Sequence, residues 1–565
     1  MNKRIYLCLA HMSEAGLEQK YIQEAFDTNW VVPLGPNVDG FEKDLEAFVN
    51  GEDSLVKPAN DEVLNKRVVA LSCGTAAVHL ALLQCGVGPG DEVIVQSFTF
   101  CASSHPVTYL GATPVFVDSE PDTWNMDPDL LEEAIKDRIA KTGKAPKAIV
   151  PVALYGMPYR IDRIMAIADK YGIPVIEDAA EGFGSRYKGR VLGTFGKYGV
   201  LSFNGNKIIT TSGGGALVTS DDESWLETMR YATQYREGYP YYQHEKIGYN
   251  YRMSNICAGI GRGQMTIVND HIAHHQHVQQ LYRELFANVP GITVHDQPAT
   301  GEFDSNFWLC TIMIDPSVRV RGQENAYKQL VTGAVGGAAG VVHMANAPMT
   351  DCQPNDNVEA LRVYLDAAGI EARPLWKPMH KQPVYKDAPA YVNGVSEAMF
   401  KVGMCLPSGP HVTDEDVHYI VDKIKAVIVS RALVIDNDLL DSLTAQAKAS
   451  PRLRQNLDLR NSPEDASQRM LNAIEPGSVV PVHRHRDTSE TVAILRGRLV
   501  EDFYDGSGHT RLKSIELSPD GPATALTVPM GQWHTVRALE SGTVIMESKD
   551  GHYEPLSSED IIGVV

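Results

Sequence analysis

RVVALSCGTAAVHLALLQCGVGPGDEVIVQS, residues 67–97, decides the fold. VVALS (68–72) is an apolar run of strand length, Cys73-Gly74-Thr75 a turn, and AAVHLALLQCG (76–86) a helix stopped by Gly86. DEVIVQS (91–97) is a second strand and ATPVFVD (112–118) a third. KAIVPVAL (147–154), the helix IDRIMAIADKYG (161–172) and the strand IPVIEDAA (173–180) continue the alternation. Such alternation predicts an α/β domain, a mostly parallel sheet between helices. Sheets of this kind bind ligands at the carboxyl ends of their strands. Asp178, the Gly74-Thr75 turn, the Phe98–Phe100 segment and Lys207 all fall at predicted strand ends.

The rest of the chain bounds the problem. Its 565 residues suit two or three domains, and 43% hydrophobic residues supply a sizeable core. A formal net charge of -20 without a basic run argues against nucleic acid or an anionic membrane as partner. Eight cysteines without CxxC spacing suggest a reducing compartment. The N-terminus is a poor signal peptide and no apolar run is long enough to span a bilayer, so a soluble, cytoplasmic protein without membrane insertion is expected. Glu18–Asn29 and Phe41–Val49 look helical, and 51–66 a loop or insertion. The helix 269–289 carries His271, His274, His275 and His277 near its start. No acidic or cysteine partner sits beside them, so a solvated face is favoured over a metal site. Residues 318–357, with GAVGGAAG at 333–340, read as a flexible insertion, and GIGRGQ (259–264) resembles a nucleotide motif only superficially. Helices are expected over 357–369, 415–433 and 436–455, the last belonging with an all-β unit that follows Arg469.

SFNGNKIITTSGGG (202–215) carries the chemistry. Lys207 follows a buried strand, where desolvation would make its amine a nucleophile; the plain alternative is a surface lysine in a turn. The first reading points to pyridoxal phosphate, which needs a lysine for its aldehyde and a carboxylate for its ring nitrogen. It also needs backbone N–H groups and hydroxyls for its phosphate, and a flat side chain over the ring. Asp178 is the candidate carboxylate, Gly74, Thr75, Ala76 and Ser202 the phosphate contacts, and Phe100 the flat ring. Taken singly, Gly-Thr is an ordinary helix cap and Phe100 a core residue.

Together with IGYNYRMSNI (247–256) and EARPLWKPMH (371–380), these stretches resemble the DegT/DnrJ/EryC1/StrS family of sugar-nucleotide aminotransferases, in family order, over residues 1 to about 430. The resemblance implies fold type I. It implies a large cofactor domain (about 60–300), a smaller domain built from the N-terminal segment and about 300–430, and a homodimer with shared active sites. By position, Lys207 is the cofactor lysine, Asp178 the partner of the ring nitrogen, and Asn250 the asparagine that reaches the phosphate of the other subunit. Glu181 stands where the family often has Gln or His. Lysine rather than histidine at 207 favours amino transfer over the related sugar dehydratases. The implied reaction passes an amino group, glutamate being the expected donor, to a keto-sugar nucleotide, most like a UDP-4-keto-6-deoxyhexose, for cell-surface glycan synthesis. Arg373, Trp376, Lys377 and His380 are candidate substrate contacts, or else structural residues of an inter-domain loop.

The C-terminal stretch, 434–565, has its own motif. His483, His485, Glu490 and His534 supply N/O ligands suited to Fe, Mn, Zn, Ni or Cu, and their spacing matches both halves of the cupin motif. Ala523 and Ala538 depart from its usual glycine and asparagine. The stretch resembles WbuC-like cupins of O-antigen synthesis, which implies a small β-barrel with a divalent metal. An isomerase, an epimerase or a sugar-binding module remain open for it, as does a cofactor-bound sensor for the whole chain.

Overall fold

The computed structural model describes residues 4–51, 64–327, 331–332, 342–343, 352–430, 435–460, 466–551 and 556–562. Most of the expected insertion at 51–66 and the glycine-rich 333–340 lie outside them. The chain divides into two compact units, Met1–Arg431 and Ala432–Val565.

The first unit is built on one large sheet. Arg67–Leu71, Gly215–Thr219, Tyr198–Ser202 and Ile176–Asp178 lie side by side in that order, and Ala390–Tyr391, Thr113–Val117, Glu92–Gln96 and Ile149–Val150 form a second row. Parallel bridges Ile149–Val175 and Val152–Asp178 join the rows. Gly215–Thr219 runs antiparallel to both of its neighbours, and the pairs on either side of the junction are parallel. Tyr198–Ser202 and Gly215–Thr219 are buried throughout, as strands covered on both faces must be, which is why they read as continuous apolar runs. The helix Gly74–Gln84 is apolar all round and nearly all buried. It can start at the sheet edge because Gly215 passes beneath it: a Cβ there would sit 2.3 Å from the Gly74 nitrogen.

The N-terminal segment, expected with the smaller domain, divides: Ile5 bridges to Ile370 in the smaller domain's core, while the helix Pro36–Asn50, which follows the helix Leu17–Asp27, carries Phe41, Leu45 and Phe48 into the core of the large sheet. GIGRGQ lies inside the helix Asn255–Met265 that both helices pack against; its glycines serve close helix packing, since a Cβ on Gly261 would meet Phe41 at 2.7 Å. A smaller antiparallel sheet, ordered Ile292–Val294, Cys310–Ile314, Gly403–Leu406, Arg373–Pro374, has its own core with helices Val268–Phe286, Asp356–Ala367 and Asp414–Val427. Val318–Val320 belongs to that core rather than to an insertion: it pairs with Ile428–Ser430, and Val318 and Val320 are buried. The histidine face expected in solvent is instead half inside. His271 and His275 are buried, because they fall on the apolar stripe with Val278 and Tyr282, while His277 alone of the four pairs outside, with Asp414 at 2.8 Å.

The second unit opens with the helix Asn437–Ala449, which stops before Pro451 instead of running to 455; proline removes the donor that another turn would need. Two five-stranded antiparallel sheets follow, starting at Arg454–Asp458. One is ordered Arg454–Asp458, Ser467–Ile474, Thr543–Asp550, Glu490–Arg496, Ala525–Val528. The other is ordered Arg511–Leu517, Leu499–Tyr504, His534–Ala538, Val482–His483, Ile561–Ile562. Ile474, Val492, Ile494, Leu499, Leu517, Val536 and Ile545 fill the space between them. No helix among the described residues is long and apolar enough to cross a membrane.

Candidate active site

Four strand ends meet at one edge of the large sheet. Asp178 ends Ile176–Asp178, Ser202 ends Tyr198–Ser202, Thr99 and Phe100 follow Glu92–Gln96, and Gly74 begins the helix after Arg67–Leu71. They line a cavity of about 280 Å³ with Cys73, Thr75, Ser103, Glu181, Asn204, Asn206, Lys207, Trp308 and Trp376.

Lys207 enters from a turn five residues beyond its strand. That turn is tied down twice: Trp308 Nε1 donates to the Asn206 carbonyl at 2.5 Å, and His271 Nδ1 lies 2.8 Å from the Ile208 carbonyl oxygen. Lys207 Nζ sits 3.9 Å from the centre of the Trp308 ring and 3.7 Å from Glu181 Oε1. The ring and the carboxylate both favour a cation there. Glu181 is itself fixed, accepting from the Tyr155 backbone N–H at 2.7 Å, and burial pushes its pKa up, with Lys207 opposing.

Asp178 is buried and accepts from Ser103 Oγ at 2.6 Å and from the Ala180 N–H at 3.1 Å. Both partners are neutral, and among the described residues no cation lies within ion-pair distance. Burial therefore raises its pKa, against the lowering pull of those hydrogen bonds and of Lys207. A buried carboxylate of this kind fits a ligand that brings its own N–H⁺. Across the cavity, the first turn of the Gly74–Gln84 helix and the Ser202 hydroxyl supply the donors a phosphate needs. Gly74 leaves little room there, since a Cβ would lie 3.1 Å from Ser202 Cβ. An amine, an unpaired buried carboxylate and an anion cradle in one cavity fit pyridoxal phosphate.

The other expected residues separate. Phe100 lines the cavity, half exposed, with its ring 5.3 Å from that of Trp376. Trp376 lines it too, with its backbone N–H on the Tyr155 hydroxyl at 2.8 Å. Arg373, Lys377 and His380 do not: Arg373 pairs with Glu371 at 2.7 Å, and His380 Nδ1 lies 2.7 Å from Ser97 Oγ. Asn250 is exposed and away from this cavity. Ala76 donates its N–H to Cys73 Sγ at 3.4 Å. Trp308 and Ser103 were not anticipated; each is brought in by the fold from a segment with no motif of its own.

In the second unit His483, His485, Glu490 and His534 converge, their ligand atoms within 4.8 Å of one another. His534 Nε2 is buried without a hydrogen-bond partner, while its Nδ1 is held by Glu501 Oε1 at 2.6 Å. Burial keeps His534 neutral, at about 3, and pushes Glu501 up to about 9. One ring nitrogen fixed by a carboxyl group and the other left bare is how a histidine is prepared for a metal. Lys549 was not anticipated: its Nζ lies 3.2 Å from Glu490 Oε2 and 3.0 Å from His485 Nε2.

The first unit thus has the fold and cavity of a fold type I pyridoxal-phosphate enzyme. Its sequence agrees with known proteins. The sequence model of the DegT/DnrJ/EryC1/StrS aminotransferase family matches residues 13–339 and 323–425, and the chain belongs to that family as a pyridoxal-phosphate-dependent sugar aminotransferase. EpsN of Bacillus subtilis (strain 168), to which pyridoxal phosphate-dependent aminotransfer has been assigned, is 41% identical over 427 residues, 75% of this chain and 95% of EpsN. GDP-perosamine synthase of Caulobacter vibrioides is 34% identical over 73% of this chain and 96% of its own. Among solved structures, a DegT DnrJ EryC1 StrS aminotransferase from Brucella abortus matches with TM-score 0.59 and 27% identity, over 73% of this chain and 95% of that one. Residues 435–515 match a domain of unknown function, DUF6016.

Proposed function

We propose that the chain moves an amino group from an amino acid, glutamate first among candidates, to a keto-sugar nucleotide, most like a UDP-4-keto-6-deoxyhexose, for cell-surface glycan synthesis. The observation that carries this is Lys207 facing the same cavity as the cation-free carboxylate of Asp178 and the helix start at Gly74. Pyridoxal phosphate, when bound, supplies an aldehyde and an electron-withdrawing ring that stabilises charge at a carbon losing its proton. Asp178 would keep the ring nitrogen protonated, Gly74, Thr75 and Ser202 would hold the phosphate, and Lys207 would hold the aldehyde. Its Nζ is then the one amine lining the cavity among the described residues, and so the group that moves the proton. Phe100 and Trp376, their rings 5.3 Å apart, line the cavity, where Phe100 would stack on the cofactor ring.

The proposal includes a homodimer in which Asn250 completes the phosphate site of the partner. Its support is Asn250's exposure and, within eleven positions before it in sequence, the exposed large apolar side chains of Tyr239, Tyr241, Tyr242 and Ile247. The working division is a cofactor domain over about 60–300 and a smaller domain toward 430. The second unit is read as a WbuC-like cupin that holds a divalent metal through His483, His485, Glu490 and His534, on the strength of their convergence. Metal content of the parent against His483→Ala tests this; equal, substoichiometric metal in both removes the site.

A panel of UDP-, GDP- and dTDP-linked keto-sugars tests the substrate. Amino-sugar product from a UDP-keto-sugar with glutamate is the expected result. Product from the GDP panel alone moves the reading toward the perosamine-type relatives, and no amino sugar from any panel member contradicts it.

A further inference from the structure

A second cavity, about 250 Å³, opens above the histidine cluster of the C-terminal unit. Its floor is His483, Glu490 and His534, with Glu547 and Lys549 beside them. Its walls mix Ile474, Val480 and Val536 with the amides of Gln455, Asn456 and Asn472. Arg452 and Arg454 stand on one side.

These two arginines are unusual in this chain. Its net charge is -20, and most of its arginines are tied to carboxylates. Neither Arg452 nor Arg454 makes an ion pair among the described residues. Arg454 gives one N–H to the Val479 carbonyl at 2.9 Å, and the Arg452 guanidinium makes no hydrogen bond among the described residues. Burial and the neighbouring Arg452 both lower the pKa of Arg454, with Glu547 opposing them from across the cavity without forming an ion pair. Two neighbouring guanidiniums that share one carboxylate at a distance gain from an anion held between them, and guanidinium forks match carboxylate and phosphate. With Lys549 the lining carries three basic side chains against the two carboxylates Glu490 and Glu547.

We infer that this cavity binds a small anionic polyhydroxy compound, a sugar acid or a sugar phosphate, its acidic group held by Arg452 and Arg454 and its hydroxyls turned toward the amides and the histidine cluster. At about 250 Å³ the cavity has room for a single sugar ring. The amides of Gln455, Asn456 and Asn472 supply paired donors and acceptors of the kind that read hydroxyls. The arginine site does not need the metal, so its failure and that of the metal reading are separable.

The test is calorimetric titration of the full-length holoenzyme with glucuronate, glucose 1-phosphate and glucose, in metal-supplemented and in chelator-treated protein. Lys207→Ala, Arg452→Met and Arg454→Met are titrated alongside. The expected result is binding of at least one anion, persisting in Lys207→Ala and after chelation. It should weaken at least tenfold in Arg452→Met, with glucose not bound. Which anion binds tells carboxylate from phosphate. Arg452 is exposed and its side chain bonds no described residue, so this variant keeps the fold even if Arg454→Met, which also frees the Val479 carbonyl, does not. Glucose binding as tightly as the anions, unchanged affinity in Arg452→Met, loss of binding in Lys207→Ala, or no anion bound at millimolar concentration each overturns the inference.

Discussion

Asp178→Asn should weaken the cofactor and strengthen the empty protein. The carboxylate is buried, accepts from Ser103 Oγ at 2.6 Å and from the Ala180 N–H at 3.1 Å, and has no cation in ion-pair reach among the described residues. Asparagine keeps an oxygen for the Ala180 N–H, and the Ser103 hydroxyl can turn to accept from its amide, so packing is little disturbed. What is lost is a charge-assisted hydrogen bond to the ring nitrogen, worth about 1.5–3 kcal/mol. That corresponds to roughly 10- to 150-fold weaker cofactor binding. The sign in the cofactor-free state is opposite. Asp178 has a folded-state pKa above its unfolded value because of burial. Its stabilising contribution is full below the unfolded value and disappears as pH rises through the folded one, leaving an ionised, desolvated carboxylate at neutral pH. Asparagine removes that cost. Fluorescence titration with pyridoxal phosphate and thermal denaturation of cofactor-stripped protein at pH 7.5 read both effects. Unchanged cofactor affinity together with a lower melting temperature in the variant would show that Asp178 is a structural residue and refute the reasoning.

Three further outcomes follow from the packing and the C-terminal cluster. Gly261→Ala puts a Cβ 2.7 Å from the Phe41 ring and should cost about 1–3 kcal/mol in denaturant unfolding; a neutral change would mean that the helices separate freely. His275 is buried with its pKa lowered from 6.5 to about 3 by burial, so the stability it permits is present above pH 6.5 and is lost as pH falls. His275→Leu should remove that loss, about 2 kcal/mol at pH 5, and parallel stability–pH curves for parent and variant would exclude it. Lys549→Met withdraws an ammonium that lies 3.2 Å from Glu490 and 3.0 Å from His485. It should tighten divalent-metal binding by about tenfold or more in a chelator competition, the scale of effect seen when a ligand's neighbours change; weaker binding would mean that the lysine supports the site.

The large sheet was legible because strands covered on both faces leave continuous apolar runs, and because Gly74, Asp178 and Lys207 sit where those runs end. Gly215–Thr219, the antiparallel strand, was not, since burial gives a strand no sign of its direction. Trp308 escaped because it reaches Lys207 from another part of the chain, with no local pattern. His271 and His275 were read as solvated from their polarity; their spacing with Val278 and Tyr282, a helical stripe, held the correct signal. Lys549 could have been found the same way. In Thr543–Asp550 it lies two residues from Glu547 and four from Ile545, on the inward face, where a lone lysine needs a partner.

The central claim is that Lys207 carries an amino-transfer reaction. Borohydride reduction of the cofactor-loaded protein followed by peptide mass analysis, run beside a single-turnover assay with glutamate, tests it most directly. The account predicts the cofactor's mass on the peptide containing Lys207, and one 2-oxoglutarate released per active site by the parent and none by Lys207→Ala. Cofactor fixed to another lysine, or equal 2-oxoglutarate from the parent and Lys207→Ala, would contradict it.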